Sequence, residues 1–277
     1  MKPSIVWLAS YPKSGNTWVR LFIANYIMNS ETPVPINQLP RFGSGDSVLH
    51  QYRAVGGAAV DLNDPRNSLR LRDRVLRGIV SNNADINLVK THNKRTIANG
   101  VAVIPPQYTR SAIYVMRNPL DVVVSYARHY GMSLADTVTA ICHKDNALAP
   151  DASSVASFLG SWSDHVASWT SKSSYPTLVL RYEDLLASPV DSFEKVVTHL
   201  NMTPDAQRLE RAIQHSGFDE LQRQEQAQGF VETSHKSKQF FVAGTKGQWR
   251  DQLSPELVKQ VRQYNKKLMK QYGYWND

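Results

Sequence analysis

The sequence has very little cysteine and no long apolar run. Of the 277 residues only Cys142 is a cysteine, which excludes an internal disulfide framework and a zinc site built from several thiolates. No stretch reaches the roughly 18 apolar residues that a membrane-spanning helix needs. The short apolar run Ile5–Ala9 lacks the cleavage pattern of a signal peptide, so we expect a buried strand there. These absences predict a cytoplasmic protein without a membrane span.

Internal repeats and low-complexity tracts are also absent, so one domain over residues 1–277 is the simplest organisation. Hydrophobic residues make up 42% of the chain, enough for an ordinary core. Lys and Arg together number 32 against 24 Asp and Glu, a formal net charge of +8. This charge favours an anionic partner, but it does not choose among a nucleotide, a nucleic acid and a membrane surface.

Strand-like and helical patterns alternate along the chain. Strands are predicted at 5–9, 86–89, 112–116 and 177–180, and helices at 16–29, 69–79, 119–130, 155–169, 189–200 and 255–272. This alternation is typical of a single α/β domain with a central parallel sheet flanked by helices. Segments that would cover the core or the acceptor site are predicted at 31–85, 132–154 and 220–245, the last within a stretch interpreted as mobile, 216–248.

Polar residues follow the first predicted strand, where ligands bind in open α/β sheets. They are Lys13, Ser14, Gly15, Asn16 and Thr17, at the start of a helix whose N–H groups and dipole favour a phosphate. The turn is not a Walker A motif, because the lysine precedes the glycine. From these residues alone, a P-loop-like phosphate-binding turn and a plain helix cap made by a Ser or Asn side chain are equal alternatives.

Two further groups of polar residues follow the next strands. Lys90, Thr91 and His92 come after the second predicted strand, and Arg117 after the third, with Ser125 a little over two helical turns later. An imidazole titrates near neutral pH, so His92 is a candidate general base.

These groups together resemble the motifs of one family, the soluble sulfotransferases. The stretch Tyr11–Trp18 resembles the family's 5′-phosphosulfate loop, and Arg117–Tyr126 is similar to its 3′-phosphate segment. Lys90-Thr91-His92 resembles its Lys-Thr-His motif, and Arg181–Asp184 its Tyr-Glu-Asp segment. The element Val242–Trp249 keeps two glycines and the tryptophan of the family's C-terminal motif but lacks its Arg-Lys pair, as in some similar bacterial natural-product sulfotransferases.

The resemblance implies transfer of a sulfuryl group from 3′-phosphoadenosine-5′-phosphosulfate (PAPS) to a small-molecule hydroxyl, without a metal. Lys13 would stabilise the leaving group, Lys90 would support charge in the transition state, and His92 would take the acceptor proton. The implied donor-binding residues are Lys13, Ser14, Gly15, Asn16, Thr17, Trp18, Arg117, Ser125, Tyr182, Gly244, Lys246 and Gly247. Lys246, or Lys236 and Lys238, could replace the missing Arg-Lys pair. An aromatic acceptor and a homodimer are both left open.

Three other functions compete with this hypothesis. A small-molecule or nucleotide kinase would use a related turn, but the sequence has no Walker A motif and no evident magnesium carboxylate. A nucleic-acid binder is supported only by net charge, and no nucleic-acid motif is present. An inactive family member would retain donor binding. His165 and the Cys142-His143 pair lack metal-ligand spacing and are interpreted as structural or exposed, while Trp162 and Trp169 are expected in the core.

Overall fold

The fold is organised on a five-stranded sheet, and the computed structural model describes residues 4–82 and 84–277. The strand order is β2-β3-β1-β6-β9, and β1 and β2 both pair with β3 in parallel. All six residues of β1 are buried, as expected for a strand covered on both faces. The predicted α/β fold with a central parallel sheet flanked by helices is confirmed.

The bounds of the elements are as follows. The strands are β1 (Ile5–Ser10), β2 (Ser44–Gly45), β3 (Asn87–Thr91), β4 (Ile97–Ala98), β5 (Val101–Ala102), β6 (Thr109–Met116), β7 (Ala147–Leu148), β8 (Ser157–Phe158) and β9 (Thr177–Arg181). The helices are α1 (Asn16–Met28), α2 (Leu49–Gly56), α3 (Pro65–Val80), α4 (Pro119–Tyr130), α5 (Leu134–Ile141), α6 (Trp162–Thr170), α7 (Tyr182–Ala187), α8 (Pro189–His199), α9 (Ala206–His215), α10 (Phe218–Gln228) and α11 (Pro255–Gln271). Short 3₁₀ turns cover Ile36–Phe42, Pro106–Tyr108 and Gln248–Asp251. Among the described residues, no helix is both long and apolar enough to span a bilayer.

The chain falls into two compact units built from interleaved segments. The first unit comprises the stretch through Tyr11, Gly43–Tyr114 and Ala140–Val179. The second comprises Pro12–Phe42, Val115–Thr139 and Leu180–Asp277. Each unit has its own cluster of buried apolar side chains. In the first it is built around Tyr52, Leu62, Val75 and Val155. In the second it is built around Leu21, Ala24, Val34, Ile36, Leu39, Leu221, Phe230 and Phe241.

One strand prediction and one cover-segment prediction change in the first unit. The second predicted strand, 86–89, is displaced: β3 is Asn87–Thr91, and Lys90 and Thr91 pair with Leu8 and Ala9 of β1. Lys90 therefore lies within the strand, and only His92 of the Lys-Thr-His motif follows it. The segment 31–85, predicted to cover the core, also contributes β2 to the edge of the sheet. Residue 83 of this segment lies outside the described residues.

The helix predicted at 155–169 begins later than the apolar pattern indicated. β8 pairs in antiparallel fashion with β7, so the first apolar residues are extended. The helix α6 begins at Trp162 because Ser161 and Asp164 form a capping box. The Ser-x-x-Asp spacing is readable in the sequence and would have given the correct start.

A helix was missed in the segment interpreted as a mobile cover. Residues Phe218–Gln228 form α10, between Gly217 and Gly229. The many Gln residues suggested a loop, but Gln, Glu and Leu are good helix formers, and glycine commonly ends helices. Of the predicted cover 220–245, only the part after α10 is therefore non-helical.

Candidate active site

The turn between β1 and α1 has a backbone that only glycine fits at one position. Gly15 has φ of 103°, and a Cβ there would lie 2.8 Å from Cδ2 of Tyr182. Gly15 is also the N-cap residue of α1, and as a glycine it has no side chain with which to cap the helix. The alternative of a plain cap made by Ser14 or Asn16 is therefore wrong. A helix start with a glycine at the N-cap and no acidic residue in its first turn is suited to an anion.

Ser14, in the same turn, provides a second observation that fits an anion. Its side chain is fully buried, and within the described part of the chain its Oγ atom has no hydrogen-bond partner. A buried hydroxyl without a partner costs about 1–3 kcal/mol. A phosphate oxygen is a suitable acceptor for it.

Arg117, just after β6, connects this turn to the C-terminal part of the second unit. Its guanidinium donates from Nη1 to the Lys13 carbonyl at 3.3 Å and from Nη2 to the Thr245 carbonyl at 2.9 Å. The guanidinium carbon lies 4.3 Å from the centre of the Tyr182 ring. Burial raises the pKa of the Tyr182 hydroxyl, and Arg117 lowers it by a smaller amount. We call the turn Lys13–Thr17 together with Arg117, Tyr182 and residues 244–247 the cradle.

The glycine-containing segment of the cradle is fixed by Asp121 of α4. This buried carboxylate accepts the backbone N–H groups of Gly247 at 2.7 Å and Trp249 at 3.2 Å. Gly244 has φ of 59°, and a Cβ there would meet the Phe218 ring at 2.4 Å. Lys246 is exposed. The segment that lacks the Arg-Lys pair is thus held by Arg117 and Asp121, and its lysine side chain remains at the surface.

Lys13 contacts two side chains that sequence reasoning missed. Its Nζ atom lies 3.5 Å from Nδ1 of His129, at the end of α4, and 3.8 Å from the centre of the Phe240 ring. The two rings also meet edge to face, with centres 5.8 Å apart. A hydrogen-bond acceptor and an aromatic face both stabilise an ammonium group. His129 was identifiable only as part of a motif helix, and nothing in the sequence links Phe240 to Lys13.

A carboxylate also reaches the turn from the segment after α10. Glu232 accepts from Thr17 Oγ1 at 3.1 Å and from Arg20 Nη1 at 2.7 Å. Arg20 lies one helical turn after Thr17 on α1. The ion pair places opposite charges together at the start of α1, and a donor phosphate on the Thr17 hydroxyl would have to replace the Glu232 hydrogen bond.

The two remaining donor-site predictions lie on α1 and α4. Trp18 meets Tyr182 and Phe193 edge to face, with ring centres 5.7 and 5.5 Å away, and is partly buried. Ser125 is half-buried on α4, two helical turns after Arg117. The stacking of Trp18 on adenine and the binding of a 3′-phosphate by Ser125 stay predictions.

In the first unit, the ring of His92 has a defined orientation. Its Nδ1 atom lies 2.8 Å from the Ser10 carbonyl oxygen, which can only accept, so Nδ1 carries the proton. The Ser10 hydroxyl is 3.4 Å from the same nitrogen. In this tautomer Nε2 has the lone pair that a general base needs. Lys90, two residues earlier, is half-buried on β3.

The backbone on which His92 lies is held by α6. His165 donates from Nε2 to the His92 carbonyl at 3.0 Å, and Trp169 donates to the Asn93 carbonyl at 3.0 Å. Burial lowers the pKa of His165 to about 3, so this imidazole is neutral and accepts from Tyr114 at Nδ1. His165, Trp162 and Trp169 are fully buried, in agreement with their interpretation as structural residues.

The structure thus brings the predicted residues together in two groups. The second unit assembles Lys13–Thr17, Arg117, Tyr182 and residues 244–247, and the first unit orients His92, two residues after Lys90. Across residues 4–82 and 84–277, no group of three or more His, Cys, Asp or Glu side chains is arranged to hold a metal ion.

A family model and curated proteins match nearly the whole chain. The family model described as "Sulfotransferase domain" matches residues 3–273. Mouse sulfotransferase 1 family member D1 is 26% identical over 273 residues, covering 96% of this chain and 81% of that protein. Mouse sulfotransferase 1B1 is 24% identical over 283 residues, covering 96% and 83%.

Solved structures match the fold at lower identity. Mouse sulfotransferase SULT7A1 complexed with PAP has a TM-score of 0.64 and 19% identity, covering 100% of this chain and 87% of that one. A retinol dehydratase in complex with androsterone and inactive cofactor PAP has a TM-score of 0.68 and 19% identity, covering 98% and 82%.

Proposed function

Because the chain belongs to the sulfotransferase family, we propose that it transfers the sulfuryl group of PAPS to a hydroxyl of a small molecule. The observation that carries the proposal is the cradle. Within one unit it combines a helix start with a glycine N-cap, Arg117, and a buried Ser14 hydroxyl that has no hydrogen-bond partner among the described residues. The presence of PAP in two solved structures of the same fold supports the choice of donor. An aromatic acceptor, a homodimer and a cytoplasmic location stay predictions.

The cradle residues would hold the two phosphates of the donor. The N–H groups at the start of α1, the Ser14 hydroxyl and the Thr17 hydroxyl would bind the 5′-phosphate. Arg117 and Ser125 would bind the 3′-phosphate, for which a guanidinium is suited because it forms charge-assisted, bidentate hydrogen bonds. Lys246 at the surface would add positive charge where the Arg-Lys pair is missing.

The chemical roles fall to Lys13, Lys90 and His92. His92 would take the acceptor hydroxyl proton at Nε2, while the acceptor oxygen forms a bond to sulfur. The bond between sulfur and the bridging oxygen would break with its electron pair going to the 5′-phosphate. Lys13 would stabilise that developing charge, as Lys90 would that of the transferring group. The tautomer of His92 supports the proton transfer, because its hydrogen bond to Ser10 leaves the lone pair on Nε2.

The test is transfer of radiolabelled sulfate from PAPS to a panel of phenols and aliphatic alcohols. We expect turnover in the wild type, with a loss in kcat of roughly a hundredfold or more for Lys13→Ala and for His92→Ala. Lys259→Ala and His50→Ala are the matched controls, since both side chains are exposed on helices away from these residues in sequence. Full activity in the Lys13 and His92 variants would refute the assigned roles.

Two parallel measurements separate the competing functions. Incubation with magnesium and ATP in place of PAPS tests for a kinase, which would label the acceptor with phosphate. Titration with PAP in the absence of acceptor tests donor binding alone. Binding of PAP without turnover of any acceptor would identify an inactive family member, and lack of PAP binding would refute the proposal altogether.

A further inference from the structure

A buried ion pair in the first unit has no role in the proposed chemistry. Arg72 of α3 donates from Nη2 to Oδ2 of Asp46 at 2.6 Å, and the two side chains are only 5% and 3% exposed. Removing two charges from water is costly, and well-packed apolar side chains of similar volume often stabilise a fold as well or better. The Arg72–Asp46 pair is therefore not explained by a contribution to the stability of the fold. The other hydrogen bonds of the two side chains indicate a different role.

Those contacts lead to the residues on both sides of His92. The oxygen Oδ2 of Asp46 also accepts from Thr91 Oγ1 at 2.8 Å and from Asn93 Nδ2 at 2.9 Å. The Asp46 backbone N–H donates to the Lys90 carbonyl at 3.1 Å. Thr91 Oγ1 in turn accepts the Asn93 backbone N–H at 3.0 Å. One carboxylate thus holds the residues before and after the candidate base.

The carboxylate is itself fixed by its surroundings. Arg72 donates from Nε to the Val103 carbonyl and from Nη1 to the Tyr52 hydroxyl, which donates to the Asp46 carbonyl at 2.9 Å. Asp46 therefore has little freedom to move, and a charged oxygen suits a site where three donors converge. An Asn side chain at position 46 would accept these hydrogen bonds more weakly through its amide oxygen, and its NH₂ group would add two donors that need acceptors.

We propose that Asp46, held by Arg72, is a positioning residue for His92. It keeps Thr91 and Asn93 in place, so that the imidazole stays hydrogen-bonded to Ser10 in the tautomer with the proton on Nδ1. The inference rests on the proposed function for its effect on catalysis, but the effect on the His92 ring does not depend on that function.

The perturbation that isolates this role is Thr91→Val. It removes one hydroxyl from the network and conserves side-chain shape, whereas Asp46→Asn risks preventing folding. Thr91→Ser retains the hydroxyl and is the rescue control. Val75→Ala is the stability control, because Val75 is buried on the same helix as Arg72 and does not contribute to the polar network.

Two measurements are made on each variant. The first is the tautomer of His92, from nitrogen chemical shifts of histidine-labelled protein, with the signal assigned through His92→Gln. The second is kcat for sulfuryl transfer, beside the dissociation constant of PAP. For Thr91→Val we expect a mixture of tautomers and a loss in kcat between ten- and a hundredfold, with PAP binding changed less than about twofold. Thr91→Ser and Val75→Ala should keep the wild-type tautomer and most of kcat.

The outcomes separate the two proposals. An unchanged His92 tautomer in Thr91→Val overturns the positioning role, whether or not the enzyme turns over. A loss in kcat no larger than that of Val75→Ala overturns it as well. If the wild type transfers no sulfuryl group, the proposed function fails, but a shifted tautomer still supports the positioning of His92.

Discussion

Arg117→Lys tests whether the cradle recognises a 3′-phosphate. The substitution conserves the positive charge but replaces a planar group of five N–H donors by a single ammonium. An ammonium cannot donate to the Lys13 and Thr245 carbonyls while also stacking on Tyr182, as Arg117 does. The variant should therefore lose both the arrangement of the cradle and a bidentate contact with the ligand.

The magnitude follows from the hydrogen bonds at risk. A hydrogen bond to a charged group contributes about 1.5–3 kcal/mol, and 1.4 kcal/mol is a factor of ten in affinity. Loss of one such bond to the 3′-phosphate should raise the dissociation constant of PAP roughly tenfold to a hundredfold. AMP lacks the 3′-phosphate and cannot lose that hydrogen bond. Its dissociation constant should rise only because the cradle rearranges, and we expect this rise to be about threefold or less.

The assay is calorimetric titration of wild type and variant with PAP and with AMP at one ionic strength. The difference between the two ligands cancels the loss they share, as in a double-mutant cycle. Arg128→Lys, on α4, is the matched control and should leave both affinities unchanged. Equal losses for PAP and AMP in Arg117→Lys would show that Arg117 acts only on the structure of the cradle, and the assignment of the 3′-phosphate would be wrong.

Three further perturbations test other parts of the structure. Gly15→Ala should abolish PAP binding, because its Cβ would lie 2.8 Å from a neighbouring ring, whereas Gly100→Ala, also at positive φ but with nothing within 4 Å, should cost only about 1–2 kcal/mol of stability. Glu232→Gln should tighten PAP binding, measured by titration, roughly three- to tenfold. The substitution removes the negative charge of the carboxylate that accepts from the Thr17 hydroxyl and would repel a phosphate there. His165→Gln should flatten the acid limb of the stability curve, measured by urea unfolding. In the unfolded state the His165 imidazole is protonated below pH ~6.5, whereas in the folded state its pKa is about 3. Between these two pH values the wild type therefore loses up to about 1.4 kcal/mol of stability for each pH unit by which the pH is lowered.

Each of these predictions has an outcome that contradicts it. Similar PAP affinities for Gly15→Ala and Gly100→Ala would show that the close approach at the turn is tolerated. Weaker PAP binding in Glu232→Gln would mean that the ion pair with Arg20 helps to build the donor site instead of competing with the donor. The same acid slope in His165→Gln as in the wild type would assign the pH dependence to other groups.

The sequence was sufficient for the parts of the site that short-range rules govern. The strand, glycine turn and helix around Gly15 follow from an apolar run, a residue able to adopt positive φ and a periodic pattern, and the structure has all three. The start of α4 at Pro119 was also predicted, since proline is favoured in a first helical turn. The late start of α6 was missed although its capping box is equally local.

The partners of the candidate residues could not be predicted, because they come from distant parts of the chain. Arg20 and Glu232 are 212 residues apart in sequence, and Thr91 and Asp46 are 45 apart. No periodicity or spacing rule connects such residues. The network around His92 and the contacts of Lys13 with His129 and Phe240 therefore became visible only in the structure.

The sequence by itself determined which residue types stand at the strand ends, and with them the family and the candidate chemistry. Backbone sterics, helix capping and hydrophobic periodicity act over a few residues, so their effects can be predicted from the sequence. The tertiary structure alone decided the tautomer of His92, the buried Asp46 and Arg72 pair, and the carboxylate that accepts from Thr17. These depend on burial and on contacts between segments far apart in the chain, which only packing of the whole fold specifies.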